Sequence, residues 1–190
     1  MDRLVIDIET KNTFNDVGGE RNVEKLDASL IGVYSYAKDQ YLGLEEHEFD
    51  RLEPLLAHTE LIIGFAVDQF DIPVMRKYFK TNIGKIKTLD MFEEVKKKLG
   101  RRVGLGVLCE ANLHSGKNGK GLDAIEYYRS GEIEKLKHYC LNDVKITKEL
   151  YEFVLDKKKL FVPDKFNPPG VTFDFDWGWS LDINPQEALF

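Results

Sequence analysis

The run Leu61-Ile62-Ile63-Gly64-Phe65 is apolar without alternation, as in a strand buried on both faces. Such a strand belongs inside a sheet that helices cover, so the chain is expected to be α/β. Leu4-Val5-Ile6-Asp7-Ile8-Glu9 is a second β-rich run. Ala28 to Ala37 and Gln40 to Leu44 read as two further strands around a turn at Lys38-Asp39. The first three strands would form an antiparallel meander, with parallel strands completing a mixed central sheet flanked by helices.

The intervening segments carry their own signals. Asn12 to Asp27 is polar, contains Gly18-Gly19 and reads as a long loop. Glu48 to His58 places Phe49, Leu52, Leu55 and Leu56 at helical spacing. Asp71 is placed to cap a helix that has Pro73 in its first turn and Val74, Tyr78 and Phe79 on its inner side. Lys85 to Leu89 reads as a short strand. Asp90 and Glu93 then have capping-box spacing for a helix ending near Gly100. Short helices are expected over Gly104 to Asn112 and Gly121 to Arg129. The longest runs from about Glu132 to Leu155, with Ile133, Leu136, Cys140, Val144, Thr147, Tyr151 and Val154 recurring at three or four.

At 190 residues, with 43% hydrophobic and 32% charged residues, the chain has the composition of one soluble globular domain. No apolar run is long enough for a bilayer. Met1-Asp2-Arg3-Leu4-Val5 enters a strand with no signal-peptide pattern, so a cytoplasmic location without membrane is the expectation. Cys109 and Cys140 are too few for a disulfide framework, and the four histidines stand at no ligand spacing, so zinc is not expected. The net charge of −6 hides an asymmetry: Arg76 to Arg102 holds ten basic residues against three acids. That segment suits a phosphate backbone, or forms an ordinary solvated helix end. Residues 161–190 form an aromatic and acidic tail. After Pro168-Pro169-Gly170, Val171, Phe173, Phe175, Trp177 and Trp179 alternate with small or polar residues, the pattern of a half-buried strand docked on the domain of residues 1–160 or on a partner.

Asp7 and Glu9 stand two apart on the first strand, so their carboxylates leave one face of the sheet and repel unless a cation neutralises them. Asp71 follows the buried strand. Asp143 lies beside the apolar stripe of the long helix, where an inward carboxylate needs a cation or hydrogen-bond donors. Tyr139, one turn earlier at i−4, points the same way. Carboxylates without histidine suit Mg²⁺ or Mn²⁺ rather than zinc. The loop His114 to Lys120 has glycine and lysine but lacks phosphate-loop spacing, so nucleotide binding by that route is rejected.

Asp7-x-Glu9 on a first strand, Phe70-Asp71 after a Gly64-Phe65 strand end, and Tyr139-x-x-x-Asp143 on a late helix together resemble the three motifs of the DEDD superfamily of 3′–5′ exonucleases. This is the DnaQ-like, ribonuclease H-like group. Gly64-Phe65 through Pro73-Val74, Thr88-Leu89-Asp90, Leu99-Gly100-Arg101 and Tyr139-Cys140-x-x-Asp143-Val144 resemble its helicase-associated and YprB-like members more particularly. The resemblance spans roughly Leu4 to Phe153. It implies a ribonuclease H-like fold and two-metal hydrolysis of DNA or RNA from the 3′ end to nucleoside 5′-monophosphates. Asp7 would bridge two Mg²⁺ or Mn²⁺ ions, Glu9 and Asp143 would complete one site, and Asp71 would support the other directly or through water. Tyr139 would orient the attacking water. Thr10, Phe70 and Lys117 are candidates for substrate contact, Phe14 and the Tyr127-Tyr128 pair for base stacking, and a helicase or polymerase is a candidate partner.

Two positions depart from a simple match. His138, five residues before Asp143, fits the histidine version of the third motif and is an alternative general base, although helix geometry favours Tyr139. Ala66 stands where the relatives carry asparagine. That change favours a rival reading, a nucleic-acid-binding module whose catalysis has faded. An endonuclease of the ribonuclease H or junction-resolving type is disfavoured, because there the first glutamate usually comes from a later helix.

Overall fold

The computed structural model describes residues 1–114, 121–164 and 168–177. At its centre is a five-stranded sheet in the order β3-β2-β1-β4-β5. The strands are β1 (Asp2–Thr10), β2 (Ala28–Ser35), β3 (Gln40–Glu45), β4 (Thr59–Gly64) and β5 (Lys87–Asp90). β1 to β3 form the antiparallel meander, and β4 runs parallel to both β1 and β5, so the sheet is mixed. Six helices surround it: α1 (Glu53–Ala57), α2 (Asp71–Met75), α3 (Met91–Leu99), α4 (Leu105–Leu113), α5 (Gly121–Arg129) and α6 (Ile133–Lys157). None of them is long and apolar enough to cross a membrane, among the described residues.

The pleat of β1 divides the core. Leu4, Ile6 and Ile8 pack on one side with Leu52, Leu56, Val74 and Met75. Val5 packs on the other with Val95, Leu108, Val144, Leu150 and Val154. By alternation Asp7 and Glu9 share the face of Val5, which α6 covers. That coverage is unusually close. Asp7 pairs with Gly32 of β2, which pairs in turn with Gly43 of β3. A Cβ at Gly32 would come within 2.7 Å of Cys140 Sγ and 2.9 Å of Val144 Cγ2, and one at Gly43 within 3.4 Å of Leu141 Cδ1. Glycine in a strand costs roughly 0.5–1 kcal/mol relative to alanine. A methyl forced into this space would cost roughly 1–3 kcal/mol. Close approach wins, and α6 lies in a glycine trough beside Asp7.

Several elements differ from the sequence expectation. The helix expected over Glu48 to His58 divides into a 3₁₀ turn, Glu46–Arg51, and α1. Pro54 accounts for the break, because its ring would clash with the carbonyl four residues back in a continuous helix. The loop after β1 contains a 3₁₀ segment, Glu20–Lys25. Asp71 does not cap α2: Phe70 holds that position and Asp71 is the first helical residue. Tyr78 and Phe79 lie beyond α2 yet still pack against the cluster of Leu4, Ile6 and Ile8. Asp90 does cap α3, accepting from the Glu93 amide, and Gly100 closes the helix in the left-handed region at φ 70°.

Beyond α6, β6 (Lys159–Val162) and β7 (Val171–Asp174) pair antiparallel as a separate two-stranded sheet. Phe175 and Trp177 are buried in the cluster that contains Val5 and Val154, and Trp177 Nε1 donates to the Tyr151 carbonyl at 3.1 Å. Trp179 lies outside the described residues.

Candidate functional site

The carboxyl ends of β1 and β4 open into a cavity of about 430 Å³. Asp7, Glu9 and Thr10 enter it from β1, Asp71 from the start of α2, and Tyr139 and Asp143 from the middle of α6. Its walls are largely apolar, with Phe14, Leu26, Phe65, Phe70, Leu122 and Ile125 around the acids. Asp143 is only 1% exposed, Asp71 4%, Tyr139 5% and Glu9 8%, while Asp7 is half-buried. Such buried carboxylates require either bound cations or protons.

The acids are held individually. The Ile8 amide donates to Asp71 Oδ1 at 3.0 Å, fixing Asp71 against the strand segment between Asp7 and Glu9. Burial pushes the Asp71 carboxyl well above the usual range, and the negative charge of Asp7 pushes it further. The Cys140 thiol donates to the Asp7 carbonyl at 3.4 Å and lies 3.6 Å from Asp7 Oδ2. One donor atom from each of Asp7, Glu9 and Cys140 lies within 4.8 Å of the others. The thiol is driven far upward by burial and by the charges of Asp7, Glu9 and Asp143, so it stays protonated at neutral pH. In the metal-free protein the Cys140 sulfur is thus present as S–H beside the carboxylate oxygens. The four carboxylates fit small hard divalent cations, and no histidine among the described residues lines the cavity.

Asp90 organises the turn that delivers Asp71. Its carboxylate accepts from the amides of Ala66 at 3.0 Å, Asp68 at 3.1 Å and Glu93 at 3.2 Å, joining the end of β4 to the start of α3. Burial raises the Asp90 carboxyl above its ordinary value, with the accepted amide bonds opposing the shift. Ala66 sits in this turn with φ 68°, a conformation that asparagine and glycine adopt more readily than alanine.

Among the sequence candidates, Asp7, Glu9, Thr10, Phe14, Phe70, Asp71, Tyr139 and Asp143 all line the cavity. Thr10 Oγ1 donates to the Asn12 carbonyl at 2.9 Å, and Phe14 meets Phe70 edge-on at 5.9 Å. His138 is exposed and does not line the cavity. Tyr127 and Tyr128 pack against the cluster of Leu30, Leu136 and Cys140 instead. Lys117 lies outside the described residues. Leu26, Phe65, Leu122, Ile125 and Cys140 belong to the surroundings of the site although sequence reasoning assigned them no site role. The small residues Gly32 and Gly43 on neighbouring strands were the available signal for the approach of Cys140.

No protein-family model matches the chain. No curated protein matches it either. Solved structures do match. A family B DNA polymerase from the hyperthermophilic archaeon Pyrobaculum calidifontis superposes with a TM-score of 0.62 at 16% identity, over 82% of this chain and 24% of the polymerase. RNase D of Trypanosoma brucei superposes with a TM-score of 0.55 at 16% identity, over 80% of this chain and 56% of RNase D. The chain thus spans about a quarter of the first protein and little more than half of the second. With the mixed five-stranded sheet and its flanking helices, these likenesses show an α/β fold of the ribonuclease H-like kind.

Proposed function

We propose that this chain is a metal-dependent 3′–5′ exonuclease of the DEDD type, acting on single-stranded 3′ ends of DNA or RNA. The observation that carries the proposal is the convergence of Asp7, Glu9, Asp71 and Asp143, from three separate segments of the chain, on one cavity whose remaining walls are largely apolar. Four carboxylates so placed repel one another when ionised, and about four bound positive charges would offset that repulsion. Two Mg²⁺ or Mn²⁺ ions supply that charge and, when bound, activate water and offset the charge that builds on the phosphate. Asp7 would contact both ions, Glu9 and Asp143 would complete one site, and Asp71 would support the other.

The protein's own groups do the rest. Apolar surface from Phe14 and Phe70 receives the terminal sugar and base, while the acids face the scissile phosphate. Tyr139, one helical turn before Asp143, orients the attacking water, which leaves the exposed His138 without a catalytic part. The Ile8 amide and the Cys140 thiol hold Asp71 and Asp7 in place, so little reorganisation accompanies the reaction. Residues 1–160 make up the catalytic unit in this reading, and residues 161–190 are its tail. RNase D, by its name a ribonuclease, supports nucleic acid as the substrate class.

Ala66 favours a second reading, a binding module with weakened catalysis, because it puts a methyl in the cavity lining where the resembled family carries asparagine. Digestion of 5′-labelled single strands with Mn²⁺ separates the two. The exonuclease gives a ladder shortening from the 3′ end, releases nucleoside 5′-monophosphates and spares closed circles. Cleavage of circles as fast as linear strands rules out the exonuclease, and binding without cleavage leaves the module.

A further inference from the structure

Phe65 does not only wall the cavity. Its ring meets Phe92 of α3 edge-on at 5.6 Å. Phe92 in turn lies 5.9 Å from the Arg102 guanidinium and 5.7 Å from the Lys96 ammonium. Phe65 and Phe92 are each half-buried and Arg102 is exposed, so aromatic surface and cation continue outward from the acids in two short steps. α3 follows β5, the last strand of the sheet, so this path leads to an edge of the molecule.

The charges along the path are unequal in their engagement. Glu93 is held by Lys96 at 2.9 Å and also accepts from Gln69, while Glu94 is held by Lys97 at 2.6 Å. Arg102 and Lys98 have no carboxylate partner among the described residues. Arg101, beside Arg102, is anchored to the Pro163 carbonyl at 3.2 Å and to Asp164 at 3.6 Å. The chain that presents Arg102 is thereby pinned, while its guanidinium remains available. Asp68, exposed near the Asp90-bound turn, opposes a polyanion there but is a single charge.

The geometry points to a second nucleic-acid contact, in which Phe92 and Arg102 receive the single strand just upstream of the nucleotide in the cavity. This rests on the exonuclease reading for its direction, since the terminal nucleotide must occupy the acidic end. An aromatic ring stacks on any base, and a guanidinium pairs with phosphate oxygens, so the contact is tolerant of sequence and sensitive to salt. An acidic protein tail would satisfy the cations but would leave the aromatic continuity from Phe65 to Phe92 unused.

The test is binding of a labelled twelve-nucleotide single strand, followed by fluorescence anisotropy with Ca²⁺ at several salt concentrations. Arg102→Glu is expected to weaken binding about tenfold and to reduce the salt slope by about one. Phe92→Leu, which keeps an apolar side chain beneath Phe65, is expected to weaken it roughly fivefold or more. Lys38→Glu, an equal charge change at the exposed β2–β3 turn, serves as control and shifts binding less than about twofold. Thermal unfolding of each variant verifies folding. Binding by Arg102→Glu and Phe92→Leu that matches the control overturns the inference, as does failure of the unaltered protein to bind. Saturation by a poly-glutamate peptide in place of the strand also overturns it. Digestion is recorded separately: binding that follows this pattern without cleavage supports the contact and sinks the exonuclease, whereas cleavage indifferent to Arg102 does the reverse.

Discussion

Gly32 lies directly under Cys140, so close that a Cβ on the glycine would stand 2.7 Å from the sulfur. This one missing carbon sets the height of α6 above the sheet at the row that contains Asp7. It therefore also sets how near Asp143, three residues further along α6, comes to the acids of β1.

Gly32→Ala should lower stability by about 1–3 kcal/mol, because α6 or β2 must shift. Activity on oligonucleotides should fall as Asp143 is displaced. Combined with Cys140→Ala, which removes the nearer of the two atoms struck and leaves Val144, part of the loss should return. A coupling of at least about 0.5 kcal/mol in a denaturant double-mutant cycle is expected. Strict additivity of the two changes would show that the helix height is fixed elsewhere.

The strand assignments show what a single sequence can and cannot reveal. Period two puts Asp7 and Glu9 on one face, and the apolar stripe of the long helix turns Asp143 inward; both are local properties, readable from spacing alone. The spacing before Pro73 points to Asp71 as a cap, but Phe70 holds that position. The actual partner of Asp71, the Ile8 amide, is 63 residues away and becomes visible only once β1 and α2 are adjacent. β6 was not anticipated because Lys159–Val162 is too short to announce itself and gains its definition from pairing with Val171–Asp174. The division of the helix at Pro54 was legible in principle, since proline in a helix interior is a local prohibition. The arrangement of Gly32 over Gly43 required the register, which no local signal supplies.

The raised carboxyl of Asp71 makes a pH prediction. A carboxyl whose folded pKa exceeds its unfolded value of about 3.8 supports folding below that value. The support is lost as pH rises through the folded pKa. Metal-free protein should therefore lose stability from about pH 4 upward, with Asp90, also raised, contributing in the same sense. Asp71→Asn should be more stable than the unaltered protein at neutral pH, the advantage shrinking towards pH 4. Thermal melts across this range in EDTA decide it. A destabilised asparagine variant at neutral pH would mean that Asp71 is charged and compensated by the protein itself.

Tyr139 and His138 occupy neighbouring positions with opposite surroundings, one 5% exposed in the cavity wall and the other on the surface. Tyr139→Phe should reduce kcat roughly tenfold to a hundredfold with little change in KM. His138→Ala should stay within about twofold. Single-turnover digestion of a labelled strand measures both, and equal damage from the histidine change would transfer the water-orienting role.

Ala66 holds a backbone conformation in which asparagine is better tolerated than alanine. Ala66→Asn should keep or slightly raise the melting temperature and lower KM for a single strand by restoring a polar group at the rim. Steady-state kinetics beside a melt give the answer. A higher KM would show that the apolar rim is itself adapted to the substrate.

Calorimetric titration of Mn²⁺ into the metal-free protein measures whether Asp7, Glu9, Asp71 and Asp143 jointly hold two small divalent ions. Two bound ions per chain are expected, with Asp7→Asn losing binding at both sites because that side chain would serve both. Equal uptake by the unaltered protein and the Asp7→Asn variant, or no uptake by either, would contradict that expectation.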